Sequence, residues 1–348
     1  MCDTNSSLEI LDIEKCHSLT YIAAVQLPSS LKKLQICDCY NIRTLTVEEG
    51  IQCSSSSRRY TSSLLEHLEI ISCPSLTCIF SKNELPATLE SLEVGNLPLS
   101  LKSLFVYGCS KLGSIAERLD NNTSLETISI DSCGNLVSFP EGGLPCAKLT
   151  RLTILDCKRL EALPKGMHNL TSLQYLRIGK GGALPSLEEE DGLPTNLQSL
   201  DIWGNMEIWK SMIERGRGFH RFSSLRRLTI SRCDEDMVSF PLEDKRLGTA
   251  LPLPASLTSL WIEAFPNLER LSSSIVDLQN LTELYLFGCP KLKYFPEKGL
   301  PSSLLELRIS RCPLIAEKCR KDGGQYWDLL THIPRVEIDW KSVFGDNT

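Results

Sequence analysis

Fifteen residues of this sequence are cysteine, the side chain best suited to hold a soft metal, attack an electrophile or form a cross-link. Their spacing argues against each of these uses. A zinc site wants two close pairs of ligands, and only "CDC" at 37–39 sets two thiols together, with no second pair beside it. Fifteen thiols cannot all pair within one chain, and parallel side chains on stacked strands do not aim at each other as a disulfide requires. The five histidines (17, 67, 168, 220 and 332) lie far apart along the chain, and His67 beside Glu69 reads as a solvated pair. The run "EEED" at 188–191 reads as a solvated loop, and the sequons at 121–123, 169–171 and 280–282 as framework. No phosphate-binding GxxxxGK[ST], no HExxH and no GxSxG occurs. Catalysis has no residues to rest on. The chain is expected not to be an enzyme and to hold no metal or cofactor.

What the cysteines do have is a period. Aligned on LxxLxIxxCxxL, units begin at Leu8, Leu31, Leu65, Leu101, Leu125, Leu149, Leu173, Leu197, Leu225, Leu257, Leu281 and Leu304, with a degenerate unit at Leu89. From Leu101 to Leu197 each step is 24 residues. In "LTRLTILDC" (149–157), Leu152 and Ile154 alternate with Arg151, Thr153 and Leu155, the period of a half-buried strand. Each unit then adds one parallel strand about 4.8 Å from the last, and the chain returns on the other side through "LEALP" and "NLTSL". This is a leucine-rich repeat. The fold predicted is an α/β solenoid, a horseshoe with a parallel concave sheet and an irregular, short-helical convex side. The position three after the last strand aliphatic holds Cys nine times (16, 39, 73, 109, 133, 157, 233, 289, 312) and Asn once (Asn205). Leu97, Gly181 and Phe265 fill it in irregular units. Cys and Asn are both small donors, so the slot reads as a structural one that serves buried carbonyls.

Composition agrees with a soluble protein of ordinary kind: 42 % hydrophobic, 23 % charged, net charge −6. Mild acidity gives no electrostatic case for nucleic acid or membrane as partner. The start, "MCDTNSSLEI", lacks a basic segment followed by an apolar one. No apolar run is long enough to span a bilayer, and reduced thiols suit the cytoplasm. A single solenoid is expected over 1–348, with repeats over about 8–312 and irregular loops at 48–63, 205–222 and 241–255. Residues 313–340 are expected to cap it, with Tyr326, Trp327, Ile333, Val336 and Ile338 covering the last unit. The N-terminal edge opens at Leu8 without a cap, which suggests a piece of a longer protein or an edge that docks on something.

With the inward positions spent on the core, function falls to the outward ones. The middle outward position of each strand gives Asp12, Gln35, Glu69, Phe105, Ser129, Thr153, Arg177, Asp201, Thr229, Trp261, Tyr285 and Arg308. The next adds Tyr107, Leu155, Trp203, Glu263 and Phe287, among others. Aromatics and arginine are the side chains that most often anchor protein interfaces. Phe105, Tyr107, Arg177, Trp203, Arg227, Trp261, Tyr285, Phe287 and Arg308 are therefore the candidate protein-binding residues. The competing reading is that the aromatics pack on one another along the ladder. Seven Lys/Arg between Lys210 and Arg232 suit an acidic protein surface better than nucleic acid.

The pattern LxxLxIxxCxxLxxLP resembles the C-terminal repeats of plant intracellular nucleotide-binding leucine-rich-repeat immune receptors of the coiled-coil class. So do "GLP" before the next unit (143–145, 192–194, 299–301), the "NLTSL" framework and the ending "CPLIAEKCRKDGGQYW…HIPRVEID". The resemblance covers residues 8–340. It implies a cytoplasmic plant-defence module that recognises a pathogen effector, or a host protein the effector modifies, and restrains a nucleotide switch. ADP or ATP would belong to a nucleotide-binding domain that this sequence lacks, and the N-terminal edge would face such a domain. The alternative is a substrate adaptor of a ubiquitin ligase or another protein-binding scaffold, which would need a helical adaptor segment not visible here. An extracellular receptor fits less well, since it favours Asn in the slot and paired cap cysteines.

Overall fold

The computed structural model describes residues 7–23, 27–28, 30–46, 64–81, 100–115, 124–139, 143–144, 147–179, 192–204, 221–232, 236–241, 243–244, 249–250, 253–321 and 323–344. These gather into two compact units, Met1–Leu173 with Lys180–Pro194, and Gln174–Gly179 with Thr195–Thr348. The loop expected at 48–63, most of that at 205–222, the degenerate unit at Leu89, and the slot residues Leu97, Gly181, Asn205 and Cys233 lie outside the described residues.

In the first unit the strands are β1 (Ile10–Glu14), β2 (Tyr21–Ala23), β3 (Lys33–Cys37), β4 (Thr44–Thr46), β5 (His67–Ile71), β6 (Cys78–Ser81), β7 (Ser103–Tyr107), β8 (Thr127–Asp131) and β9 (Arg151–Leu155). In the second they are β10 (Tyr175–Gly179), β11 (Ser199–Trp203), β12 (Arg227–Ser231), β13 (Ser239–Phe240), β14 (Glu243–Asp244), β15 (Thr249–Ala250), β16 (Ser259–Glu263), β17 (Arg270–Leu271), β18 (Glu283–Phe287), β19 (Glu306–Ser310), β20 (Arg335–Ile338) and β21 (Lys341–Ser342). One five-residue strand per repeat builds a parallel sheet in each unit, in the order β1-β3-β5-β7-β8-β9 and β10-β11-β12-β16-β18-β19-β20. This is a leucine-rich-repeat architecture. The register sets like on like: Leu11 against Leu34 and Ile13 against Ile36, Leu260 against Leu284 and Ile262 against Leu286. Inward side chains such as Leu34, Ile36, Leu68, Ile70, Leu200 and Ile202 expose nothing to solvent. On the return side β2, β4 and β6 form a small parallel sheet, and β13 pairs with β17. Single turns of 3-10 helix occur at Met167–Asn169 and Ser273–Ile275.

Among the described residues, twelve strands of the repeat sheets are followed at once by a residue in the left-handed region. Lys15, Asp38, Ser72, Gly108, Ser132, Asp156, Gly204, Arg232, Ala264, Gly288, Arg311 and Asp339 all have φ between 46° and 67°. That conformation costs an L-residue about 1–2 kcal/mol, and the gain is an ordered turn. Its N–H is aimed at the end of the next strand, as from Ser72 to Tyr107 O (2.8 Å), Gly204 to Ser231 O (2.7 Å) and Ala264 to Phe287 O (2.7 Å). The chain then drops into the interior at the slot. The Cys73 thiol donates to Ile71 O at 3.4 Å and to Ile36 O, one repeat back, at 3.9 Å. Cys39 and Cys133 make the same pair of contacts. The slot carbonyl in turn accepts the N–H three residues on, as Cys157 O does from Leu160 at 3.1 Å. That closes the CxxL turn and aims its leucine inward.

Seven of the nine slot cysteines are buried free thiols: Cys39, Cys73, Cys109, Cys133, Cys157, Cys289 and Cys312. Cys16 departs from this expectation and is exposed. No strand precedes β1 among the described residues, so its slot has a covering repeat on one side only; Leu11 and Ile13 are half-exposed for the same reason.

Two further expectations need correction. Within 241–255, β14 and β15 pair as a short antiparallel hairpin instead of a plain loop. The C-terminal stretch does more than cover the last repeat. After helices at Pro313–Lys318 and Trp327–Leu330, β20 joins β19 in parallel and β21 folds back on it. Val336 takes the inward place opposite Leu307, so "RVEI" extends the sheet by one more strand. No helix among the described residues is long and apolar enough to cross a membrane.

Two outcomes follow from this packing. Leu176, 2 % exposed on β10, leaves a cavity on truncation, so Leu176→Ala should lower unfolding free energy by about 2–5 kcal/mol in urea denaturation. Burial pushes the thiols of Cys73, Cys157 and Cys319 up, to about 11, about 12 and about 12. Iodoacetamide followed by mass spectrometry should label Cys16 in the native protein and reach those three only after denaturant is added. Unfolded thiols titrate near about 8.5 and these three well above it, so the unfolded chain sheds their protons first. Their contribution to stability is whole below about pH 8.5 and falls as pH rises toward 12.

Candidate protein-binding face

The outward positions fall into rows across each sheet, fixed by the same register that stacks the core. In the first unit Phe105 and Tyr107 stand two residues apart on β7, their rings 6.4 Å apart and nearly parallel. The Tyr107 hydroxyl donates to Ser129 Oγ at 3.1 Å, which holds the ring over its neighbouring strand. Leu155, at an outward place on β9, is 6 % exposed and so covered rather than presented to solvent.

The second unit carries the other seven candidates. On β16 and β18, Trp261 and Tyr285 are register partners, with ring centroids 4.1 Å apart and planes 27° from parallel. Trp261 Nε1 donates to Ser259 Oγ at 3.0 Å, which fixes the indole plane. Arg308, next in the row on β19, lies with its guanidinium 5.2 Å from the Tyr285 ring. It is held there by Glu306 (2.6 Å) and Glu337 (3.2 Å). Burial, with the carboxylates of Glu283 and Glu306 behind it, pushes the Tyr285 phenol above its ordinary value, so it remains a protonated donor at neutral pH. The aromatics therefore do pack on one another along the ladder, and their outer faces stay half-exposed.

A second group centres on Trp203. The guanidinium carbons of Arg177 and Arg232 lie 5.9 and 5.8 Å from its ring, and Arg177 Nε is 3.6 Å from Asp201 Oδ2. The other oxygen of that carboxylate, Oδ1, is buried and accepts no hydrogen bond among the described residues. Gly179 faces Trp203 in register, and a Cβ there would come within 2.4 Å of Trp203 O and 2.6 Å of its Cβ. The bare glycine is what lets the tryptophan strand settle this close. Near the same group burial pushes the Glu263 carboxyl up, against the opposing pull of the Ser231 hydroxyl. Arg227 is exposed on β12, brought to neither group, and Phe287 sits at the end of β18 with Arg311 5.2 Å over its ring.

Arg232 and Arg311 are the residues that outward-face reasoning passes over, because they belong to the turn and not to the strand. The signal is nonetheless in the sequence. In both cases an aromatic ends one strand and an arginine follows the end of the next, Trp203 with Arg232 and Phe287 with Arg311.

No family model matches the chain. At3g14460 of Arabidopsis thaliana, named as a disease resistance protein, is 34 % identical over 349 residues, which is 97 % of this chain and 22 % of that protein. The relatives are plant disease resistance proteins. RPS6 and RPP4 of the same plant, also disease resistance proteins by name, are 29 % and 26 % identical over 70 % and 72 % of this chain. The chain spans about a fifth of the length of these relatives, 22 % of the first and 19 % of RPS6. Among solved structures, a leucine-rich-repeat protein of Leptospira interrogans, LIC12759, is 16 % identical with a TM-score of 0.37 over 95 % of each chain. A leucine-rich-repeat protein from Bacteroides ovatus is 14 % identical with a TM-score of 0.24, over 91 % of this chain and 74 % of that one.

Adding a single methyl at Gly179 tests the packing around Trp203. Because the atom it would meet is backbone, Gly179→Ala should cost about 1–3 kcal/mol of stability, the range for overpacking, and shift the tryptophan emission. Gly323→Ala, where no atom lies within 4 Å but φ is +87°, separates backbone strain from crowding.

Proposed function

We propose that this chain is the recognition part of a plant disease resistance protein, a non-catalytic leucine-rich-repeat module that binds another protein through the outward face of its sheet. The observation that carries this is the Trp261–Tyr285–Arg308 row. It spends two large aromatic rings and a doubly paired arginine on a half-exposed face, while the core beneath is completed by other residues. Rings held rigid by a hydrogen bond and a stack lose little entropy when a partner covers them, which is what an interface anchor needs. Kinship with disease resistance proteins supports immunity as the setting. In that reading the partner is a pathogen effector or a host protein altered by one. The chain corresponds to the C-terminal repeats of a cytoplasmic coiled-coil-class receptor, where it would also restrain a nucleotide switch. ADP or ATP would belong to a domain outside this chain.

The test is a binding screen of the purified chain against a panel of folded effector proteins, repeated with Trp261→Ala. Truncating an anchor should weaken the captured interaction by about 2 kcal/mol or more, roughly 30-fold, with the circular dichroism spectrum unchanged. An affinity untouched by the substitution moves the site off this row.

A further inference from the structure

Ion pairing on the sheet face of the second unit is uneven. The carboxylates of Asp201, Glu306 and Glu337 are engaged by Arg177, Arg308 and Arg335, and Asp339 Oδ1 accepts the backbone N–H of Arg311 at 2.9 Å. Four exposed arginines remain. Arg226 and Arg227 stand at the rim where β12 begins, and Arg232 and Arg311 at the rim where β12 and β19 end. Among the described residues no carboxylate comes within ion-pair distance of any of the four. Glu263, on which Arg177 and Arg232 both act, and Glu283 are partly buried, and Asp236 is exposed four residues after Arg232. What stands out is where the unpaired guanidinium groups lie, two at each rim of the face.

The four are also arranged for recognition. Arg232 and Arg311 spring from left-handed turns at φ 53° and lie over Trp203 and Phe287 at 5.8 and 5.2 Å. A guanidinium attracted to a ring face keeps N–H groups that can take a carboxylate on two bonds. Arg227 has Ser199 and Ser259 as its register neighbours, so short side chains flank it. The two rims are about 16 Å apart at 3.3 Å per residue, with Trp261 and Tyr285 in the row between them.

We infer that this face takes an acidic segment of a partner protein. Carboxylates rest on Arg226 and Arg227 at one rim and on Arg232 and Arg311 at the other, and an apolar side chain between them lies on Trp261 and Tyr285. The inference rests on the protein-binding reading above and names the chemistry of the partner.

Three fluorescein-labelled peptides of equal length test it: one of Asp and Glu around a central Leu-Phe, its Asn/Gln counterpart, and its Lys counterpart. Fluorescence anisotropy is read with the full chain at about 0.05 M and about 0.3 M salt, across which the screening length shrinks by roughly half. The acidic peptide should bind at least ~10-fold tighter than the amide one and lose most of that margin at the higher salt. Arg226→Glu with Arg227→Glu, and separately Arg232→Glu with Arg311→Glu, should each remove the acidic margin by about 10-fold while leaving the amide peptide's affinity in place. Unchanged circular dichroism excludes unfolding, and paired Arg→Lys variants should keep most of the salt-sensitive part. Equal binding of the Lys or amide peptide, indifference to charge reversal, or no binding of the acidic peptide each overturns the inference. Should Trp261→Ala still abolish capture of a folded protein in that case, the broader reading stands and only the acidic partner falls.

Discussion

A strand that gives two of its five side chains to the interior must bring its backbone inward straight afterwards, and the carbonyls at that descent have to find donors away from water. Everything else in the molecule depends on how this is solved. A left-handed residue reverses the chain, its N–H reaches the neighbouring strand, and a buried thiol donates to the carbonyl two residues back and to one in the repeat before. The thiol adds a second, weak donor to a carbonyl that already accepts the left-handed N–H of the repeat before, as Ile71 O does from Asp38 at 3.0 Å, and the device recurs from repeat to repeat. The register that results places leucine on leucine and leaves no choice about which side chains face out.

The outward face thereby becomes chemically free. Substituting Trp261 for Thr229, its register partner on the next strand, changes nothing that the core requires, because both stand on the same backbone. What limits the outward rows is the room their neighbours allow. Trp203 is accommodated by the bare Gly179 beside it, and Trp261 and Tyr107 lean on the hydroxyls of Ser259 and Ser129. Small residues, on a neighbouring strand for Trp203 and Tyr107 and on the same strand for Trp261, are the counterpart of large ones.

Much of this was legible beforehand. Alternation over Leu152 and Ile154, and the cysteine three positions later, contain the register outright, since a parallel stack of like repeats admits one alignment of inward leucines. The candidates from Arg177 to Arg308 follow from the same alternation. Less visible was anything set by conformation rather than pattern. Arg232 and Arg311 look like turn residues until their φ values send them back over an aromatic. "RVEI" has a strand's alternation, but it lacks the leucine and cysteine that mark the other repeats, so its place in the sheet was hidden. Leu155 shows the opposite limit: alternation assigns a direction, while burial depends on what lies around it.

The left-handed position after twelve of the repeat strands is filled by lysine, aspartate, serine, glycine, arginine or alanine without disturbing the turn. Its side chain leaves from the same backbone geometry every time and meets none of the core. Selection on the outer face would find there a row of positions, each changeable by one codon and tied at most to its neighbour as Asp339 is to Arg311, with the mainspring untouched.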